Sequence, residues 1–120
     1  MKKILIVEDA DLNIDLLTQL LEDRYELVVA KDGAQGVALA AREKPDLILM
    51  DMSLPVIDGY EATRRIRAEG TLNHVPIIGL SAHAMSGDEQ KARAAGCDDY
   101  MVKPLDERML FERLEKLLGK

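Results

Sequence analysis

The chain has 120 residues, 48% of them hydrophobic, and a formal charge of -6, which bounds it to one ordinary domain with a sizeable core. An acidic balance with 3% aromatic content and no Trp excludes a nucleic-acid surface, which needs clustered Lys and Arg and rings to stack on. The lone Cys97 excludes an internal disulfide and a thiolate metal site, and Met1-Lys2-Lys3 opens an apolar run too short for a signal-peptide core or a membrane span, so a cytoplasmic chain with no membrane partner is expected.

Ile4 to Val7 is an unbroken run of Ile, Leu and Val, the pattern of a strand covered on both faces. Asp11 or Asn13 can cap the helix that follows, where Ile14, Leu17, Leu20 and Leu21 recur at helical spacing. Tyr25 to Ala30 reads as the second strand. Asp32-Gly33 then turns into a helix carrying Val37 and Leu39, and Pro45 closes it. Leu47 to Met50 is the third and most apolar strand, followed by a loop with two punctuators, Leu54-Pro55-Val56-Ile57-Asp58-Gly59. The next helix keeps Tyr60, Thr63 and Ile66 on one face and leaves Glu61, Arg64, Arg65 and Arg67 to solvent. Pro76 introduces the fourth strand, Ile77 to Leu80. A helix spanning 87–95 has little apolar grip, because Ala92, Ala94 and Ala95 are small, and a loosely held element is a natural place for motion. Asp99 to Val102 is the fifth strand, and Asp106 caps a last helix striped by Met109, Leu110, Leu114, Leu117 and Leu118. This alternation is the order of βαβ units around a parallel sheet, a three-layer α/β domain.

Four polar stations follow the apolar runs: Glu8-Asp9, Asp51, Ser81 and Lys103-Pro104. All lie at carboxyl ends of strands, where open α/β sheets bind their ligands. In the flavodoxin-like strand order 2-1-3-4-5 the order reverses between strands one and three, so Glu8, Asp9 and Asp51 face one another there. Three carboxylates brought close repel unless a cation balances them. Oxygen donors without His or Cys select Mg²⁺ over zinc. Three negative charges, two positive from the metal and one from Lys103 sum to zero, and the ammonium and metal both suit the oxygens of a phosphoryl group in transfer. Asp51, ionised at neutral pH, needs no base to attack phosphorus and is the expected nucleophile.

These segments resemble the receiver domain of two-component response regulators. The likeness is carried by Ile4 to Asp9, by Asp46 to Gly59, by Pro76 to Ala82 and by Ala95 to Pro104, and it covers the whole chain as one domain over 1–120 with no output domain. The resemblance implies a phosphorylation-activated switch that accepts a phosphoryl group on Asp51 from a histidine kinase or a histidine phosphotransfer protein. It implies that Glu8, Asp9, Asp51 and the Ser53 carbonyl bind Mg²⁺, and that Ser81 and Lys103 hold phosphoryl oxygens. It also implies a cis peptide between Lys103 and Pro104, and a Ser81–Tyr100 switch that alters the face of helix four, strand five and helix five for a downstream protein target. Ser53 and His83 fall at positions that tune phosphate lifetime. The chain looks most like the single-domain regulators of bacterial cell division, with a receiver cut from a hybrid histidine kinase as the alternative. Ile14, Leu17 and Leu21 are the expected contact for a kinase or phosphotransfer bundle.

Other readings fit less well. A phosphatase of the haloacid dehalogenase kind expects a second Asp two residues after the nucleophile, where Ser53 stands. No phosphate-cradling glycine motif occurs, which removes a nucleotide-binding reading. Glu8-Asp9 alone would be an ordinary helix-capping pair, and Lys103 alone a surface lysine. His74 and His83 read as solvent-facing, and Cys97 as a packing residue. A pure interaction module that has lost phosphorylation is disfavoured because every station is intact.

Overall fold

The computed structural model describes residues 1–82 and 87–119. Among them the strands are β1 (Lys3–Val7), β2 (Glu26–Ala30), β3 (Leu47–Asp51), β4 (Ile77–Ser81) and β5 (Asp99–Val102). The helices are α1 (Asp11–Leu21), α2 (Gly33–Glu43), α3 (Gly59–Ala68), α4 (Asp88–Ala95) and α5 (Glu107–Leu118), with one 3₁₀ turn at Gly70–Leu72. All strand pairs are parallel and the sheet order is β2-β1-β3-β4-β5, as the flavodoxin-like reading requires.

The strands read as continuous apolar runs because both sheet faces are covered. Ile4, Ile6, Leu47, Leu49, Ile78 and Leu80 face one layer, where Leu17 and Leu21 of α1 and Leu110 and Leu114 of α5 close over them. Leu5, Val7, Ile48, Met50 and Ile77 face the other, under Ala40 of α2, Ala62 and Ile66 of α3 and Ala92 of α4. Alternation along each strand thus sorts side chains between two cores. Cys97 packs in the second of them, and burial pushes its thiol up to about 11, so it stays a neutral packing group.

Caps decide where the helices begin. Asp32, Asp58 and Asp106 each accept a hydrogen bond from the backbone N–H three residues on, from Gln35, Glu61 and Met109. At α1 the expected caps are absent: Ala10 holds the N-cap position, without a side-chain hydrogen bond. Asp11 instead lies in the first turn and pairs with Lys31 Nζ at 2.6 Å, which ties α1 to the end of β2.

Two further expectations from sequence need correcting. Leu17 and Leu21 are 3% and 0% exposed and belong to the core, so neither is available to a partner; the exposed apolar side chains of α1 are Leu12 and Leu16. Arg67 is not part of a solvated face. It reaches the carbonyls of Gly96, Leu72, Asn73 and Val75 and meets Asp98 Oδ2 at 2.7 Å. Asp98 in turn accepts from the Ile77 N–H at 2.9 Å, so one guanidinium ties the end of α3 to the starts of β4 and β5. Arg64 and Arg65 remain exposed and pair with Glu61.

The thin apolar grip of α4 is as expected, with Ala92 and Ala95 its buried residues. Polar contacts hold it instead. Arg93 donates to the Asp98 carbonyl at 2.7 Å and reaches Asp99, which Arg113 of α5 also contacts at 2.8 Å. Lys91 lies 4.2 Å from the centre of the Tyr60 ring on α3.

Candidate functional site

β1 and β3 are neighbours, with Val7 paired to Met50, so the residues just past them meet at one edge. Glu8 is 1% exposed and its N–H still donates to Ala30 of β2 at 2.9 Å. The chain bends there: Glu8 Oε2 accepts from the Ala10 N–H at 3.1 Å, which leaves Asp9 exposed at the rim. Asp51 ends β3 at 4% exposed, and its Oδ1 accepts from the Ser53 N–H at 3.0 Å. The glycine at Gly59 lets α3 start flush against this strand end, because a Cβ there would fall 2.4 Å from the Asp51 carbonyl oxygen.

Lys103 arrives from β5, which lies two strands away from β3. Its backbone N–H donates to the Ser81 carbonyl at 2.7 Å, and the Lys103–Pro104 peptide is cis, as expected. Its Nζ lies 2.7 Å from Glu8 Oε1 and 3.5 Å from Asp51 Oδ2. One carboxylate oxygen each from Glu8, Asp9 and Asp51 lies within 4.8 Å of the others. Three carboxylates against one ammonium leave two uncompensated negative charges, and the donor set is all oxygen. That chemistry fits a hard divalent cation such as Mg²⁺.

Burial alone would raise the Glu8 carboxyl, but the Lys103 hydrogen bond and charge and the Ala10 N–H bring it below its ordinary value. Asp51 moves the other way. Burial lifts it, the charge of Glu8 adds to the rise, and the Ser53 N–H and Lys103 only partly oppose it. Lys103 Nζ lies nearer Glu8 than Asp51, so Asp51 is the acid farther from a cation.

Ser81 ends β4 at 5% exposed, one residue beyond Leu80, the register partner of Asp51. Tyr100 is half-buried in β5, opposite Gly79, and packs against the core on the α2, α3 and α4 side. Ser53 is exposed in the loop after β3. His74 is exposed near the amino end of β4, at the sheet edge away from the acids. His83 lies outside the described residues. The fold thus gathers Glu8, Asp9, Asp51 and Lys103, sets Ser81 beside them and places Tyr100 lower on the neighbouring strand. Sequence reasoning missed the contribution of Gly59 and the preference of Lys103 for Glu8. Asp58-Gly59 carried a turn signal, whereas nothing local signalled the lysine's choice.

A parallel sheet with acids, a hydroxyl and a lysine gathered at its carboxyl edge is the arrangement expected of a receiver-type α/β domain. The chain matches the response regulator receiver domain family over residues 4–115, and it belongs to that family. Among curated relatives, the polar-differentiation response regulator DivK of Brucella anthropi is 39% identical over 98% of this chain and 97% of its own. The receiver domain of the sensor histidine kinase PA1611 of Pseudomonas aeruginosa, solved with a magnesium ion coordinated in the active site cleft, superposes with a TM-score of 0.92 at 41% identity over 99% of this chain and 98% of that one. The receiver domain of Ssk1 from Saccharomyces cerevisiae, crystallised with the histidine phosphotransfer protein Ypd1, gives a TM-score of 0.91 at 30% identity over 98% of this chain and 89% of that one. The protein is therefore a receiver module of two-component signalling, a switch rather than a metabolic enzyme. Among the described residues no helix is long and apolar enough to cross a membrane.

Proposed function

We propose that Asp51 accepts a phosphoryl group from the phosphohistidine of a histidine kinase or histidine phosphotransfer protein, in a Mg²⁺-dependent reaction in the cytoplasm that the domain itself catalyses. The observation that carries this reading is the buried Asp51 carboxylate facing Lys103 at 3.5 Å, with Glu8 and Asp9 within 4.8 Å. An Asp51 oxygen bonds to phosphorus as the phosphorus–nitrogen bond of the donor breaks, and the imidazole nitrogen keeps the electron pair. Lys103 and the Ser81 hydroxyl hold the phosphoryl oxygens. Glu8, Asp9, Asp51 and the Ser53 carbonyl would hold the metal, which would supply charge neutralisation to the transferring group. Water later hydrolyses the acyl phosphate and resets the switch.

Output follows from the same edge. Ser81 drawn toward the phosphoryl group lets Tyr100 turn inward, which shifts the population between two packings of α4, β5 and α5. A groove of about 860 Å³ lies on that face, lined in part by Arg93, Tyr100, Val102 and Met109, and it suits a downstream protein target. A second reading has its own support, since the sensor-kinase receiver of PA1611 is 41% identical, against 39% for DivK. In that setting the phosphoryl group passes onward from Asp51 to a phosphotransfer histidine.

Incubation with acetyl phosphate, with Mg²⁺ or with excess chelator, followed by intact mass, tests the reading. The expected result is one Mg²⁺-dependent, hydroxylamine-labile adduct that is absent in Asp51→Asn. An adduct that forms equally in that variant or in chelator would overturn it.

A further inference from the structure

We propose that Val56 is a specificity residue for the phosphodonor, an apolar knob on the rim of the acidic cup that a phosphohistidine-bearing protein covers on its way to Asp51. The proposal rests on the reading of Asp51 as phosphoacceptor.

Val56 adopts φ 73, in the left-handed region that a β-branched side chain resists. Among the described residues the other non-glycine with positive φ is Lys44, which ends α2 as a left-handed cap and has a structural reason to be there. Val56 ends no helix. Its side chain is 77% exposed, so core packing does not offset the strain.

The neighbours impose this conformation. Leu54 is 7% exposed, the Pro55 carbonyl accepts from the Gly33 N–H at 3.5 Å, and the Ile57 backbone occupies the space a Cβ on Gly33 would need. Beyond it, Gly59 donates to the Met52 carbonyl at 3.2 Å and Asp58 caps α3. Held on both sides, the loop turns through position 56 whatever residue stands there. Asn or Gly would suit that backbone better and would put no branched apolar group into water. Val therefore costs the fold twice, and strain that the fold does not use points to a contact outside it.

The location says which contact. Val56 is three residues past Ser53 and five past Asp51, in the loop that leaves the acidic edge. Asp51 is 4% exposed, so a donor histidine carried on a protein has to press against this rim. α1 leaves the same edge with Leu12 and Leu16 at 79% and 52% exposed. A small phosphoryl donor carries no protein surface to press against Val56.

The test uses two variants in the full chain. Val56→Asn accepts the positive φ and removes the apolar contact, while Val56→Leu keeps an apolar side chain. Both are measured for thermal unfolding, for labelling by acetyl phosphate with Mg²⁺, and for transfer from phosphorylated histidine kinases and phosphotransfer proteins of the same organism. For Val56→Asn, the expected results are a melting temperature higher by a few degrees and acetyl phosphate labelling within about twofold of native. Its kcat/KM with the protein donor should fall by about fivefold or more, through KM, with Val56→Leu close to native. Native transfer to Val56→Asn, equal loss with both kinds of donor, or a native chain that acetyl phosphate labels and no protein donor does, would each overturn the proposal. So would Val56-dependent self-association with transfer unchanged. Failure of acetyl phosphate to label the native chain would instead bring down the reading of Asp51, and this inference with it.

Discussion

Asp51 sits at the end of the most apolar strand, where burial and the charge of Glu8 raise its affinity for a proton above that of the unfolded chain. A carboxyl raised on folding removes stability as pH climbs through its folded value, because the unfolded state releases its proton first. Glu8 is lowered, so it contributes stability above its unfolded value that is lost as pH falls through the folded one. In the metal-free domain, Asp51→Asn should therefore be more stable than native at pH 7 and melt at a higher temperature. That gain should vanish in acid, where Asp51 is protonated in both folded and unfolded states. Urea unfolding at several pH values with chelator present checks it, and a variant less stable than native at pH 7 would contradict the sign.

At the scale of elements, the Arg67 guanidinium holds four backbone carbonyls and Asp98 across α3, β4 and β5. Its side chain is 18% exposed, so these bonds are largely sheltered from water. Gly96 makes the approach possible, since a Cβ there would lie 2.6 Å from Arg67 Cγ. Arg67→Ala should destabilise the domain by about 2–4 kcal/mol, because truncation strands partly buried acceptors. Arg67→Lys should recover little, for one ammonium cannot reproduce the planar fork. Denaturant midpoints for the two variants decide this, and recovery of most of the stability by Lys would mean that charge alone matters. Helical spacing put Arg67 with Arg64 and Arg65, but it ends α3 near Gly96 and Asp98, which are distant in sequence.

For the whole molecule the relevant quantity is the charge left over at the carboxyl edge, three acids against one lysine. A cation that binds the folded state alone stabilises it by mass action, about 2.7 kcal/mol at one hundred times its dissociation constant. Mg²⁺ should thus raise the melting temperature of the native domain. It should do so much less in Asp9→Asn, where an exposed ligand is lost without disturbing the Glu8–Lys103 pair. Thermal unfolding across a Mg²⁺ series checks this, and equal stabilisation of both proteins would place the cation elsewhere.

The order of strands and helices, and the meeting of Glu8, Asp9, Asp51, Ser81 and Lys103 at one edge, were determined by sequence alone. Strands covered on both faces need unbroken apolar runs, parallel topology puts every run's end on one side, and each station directly follows its run. The cap at Asp106 was legible for the same local reason. Tertiary structure alone decided what depends on groups far apart in the chain. It set Lys103 closer to Glu8 than to Asp51, turned Arg67 inward, buried Leu17 and Leu21 while leaving Leu12 and Leu16 outside, and held Val56 at a positive φ. Periodicity reports which residues share a face. Which face meets water, and which of two acids wins an ammonium, is settled only when the elements pack.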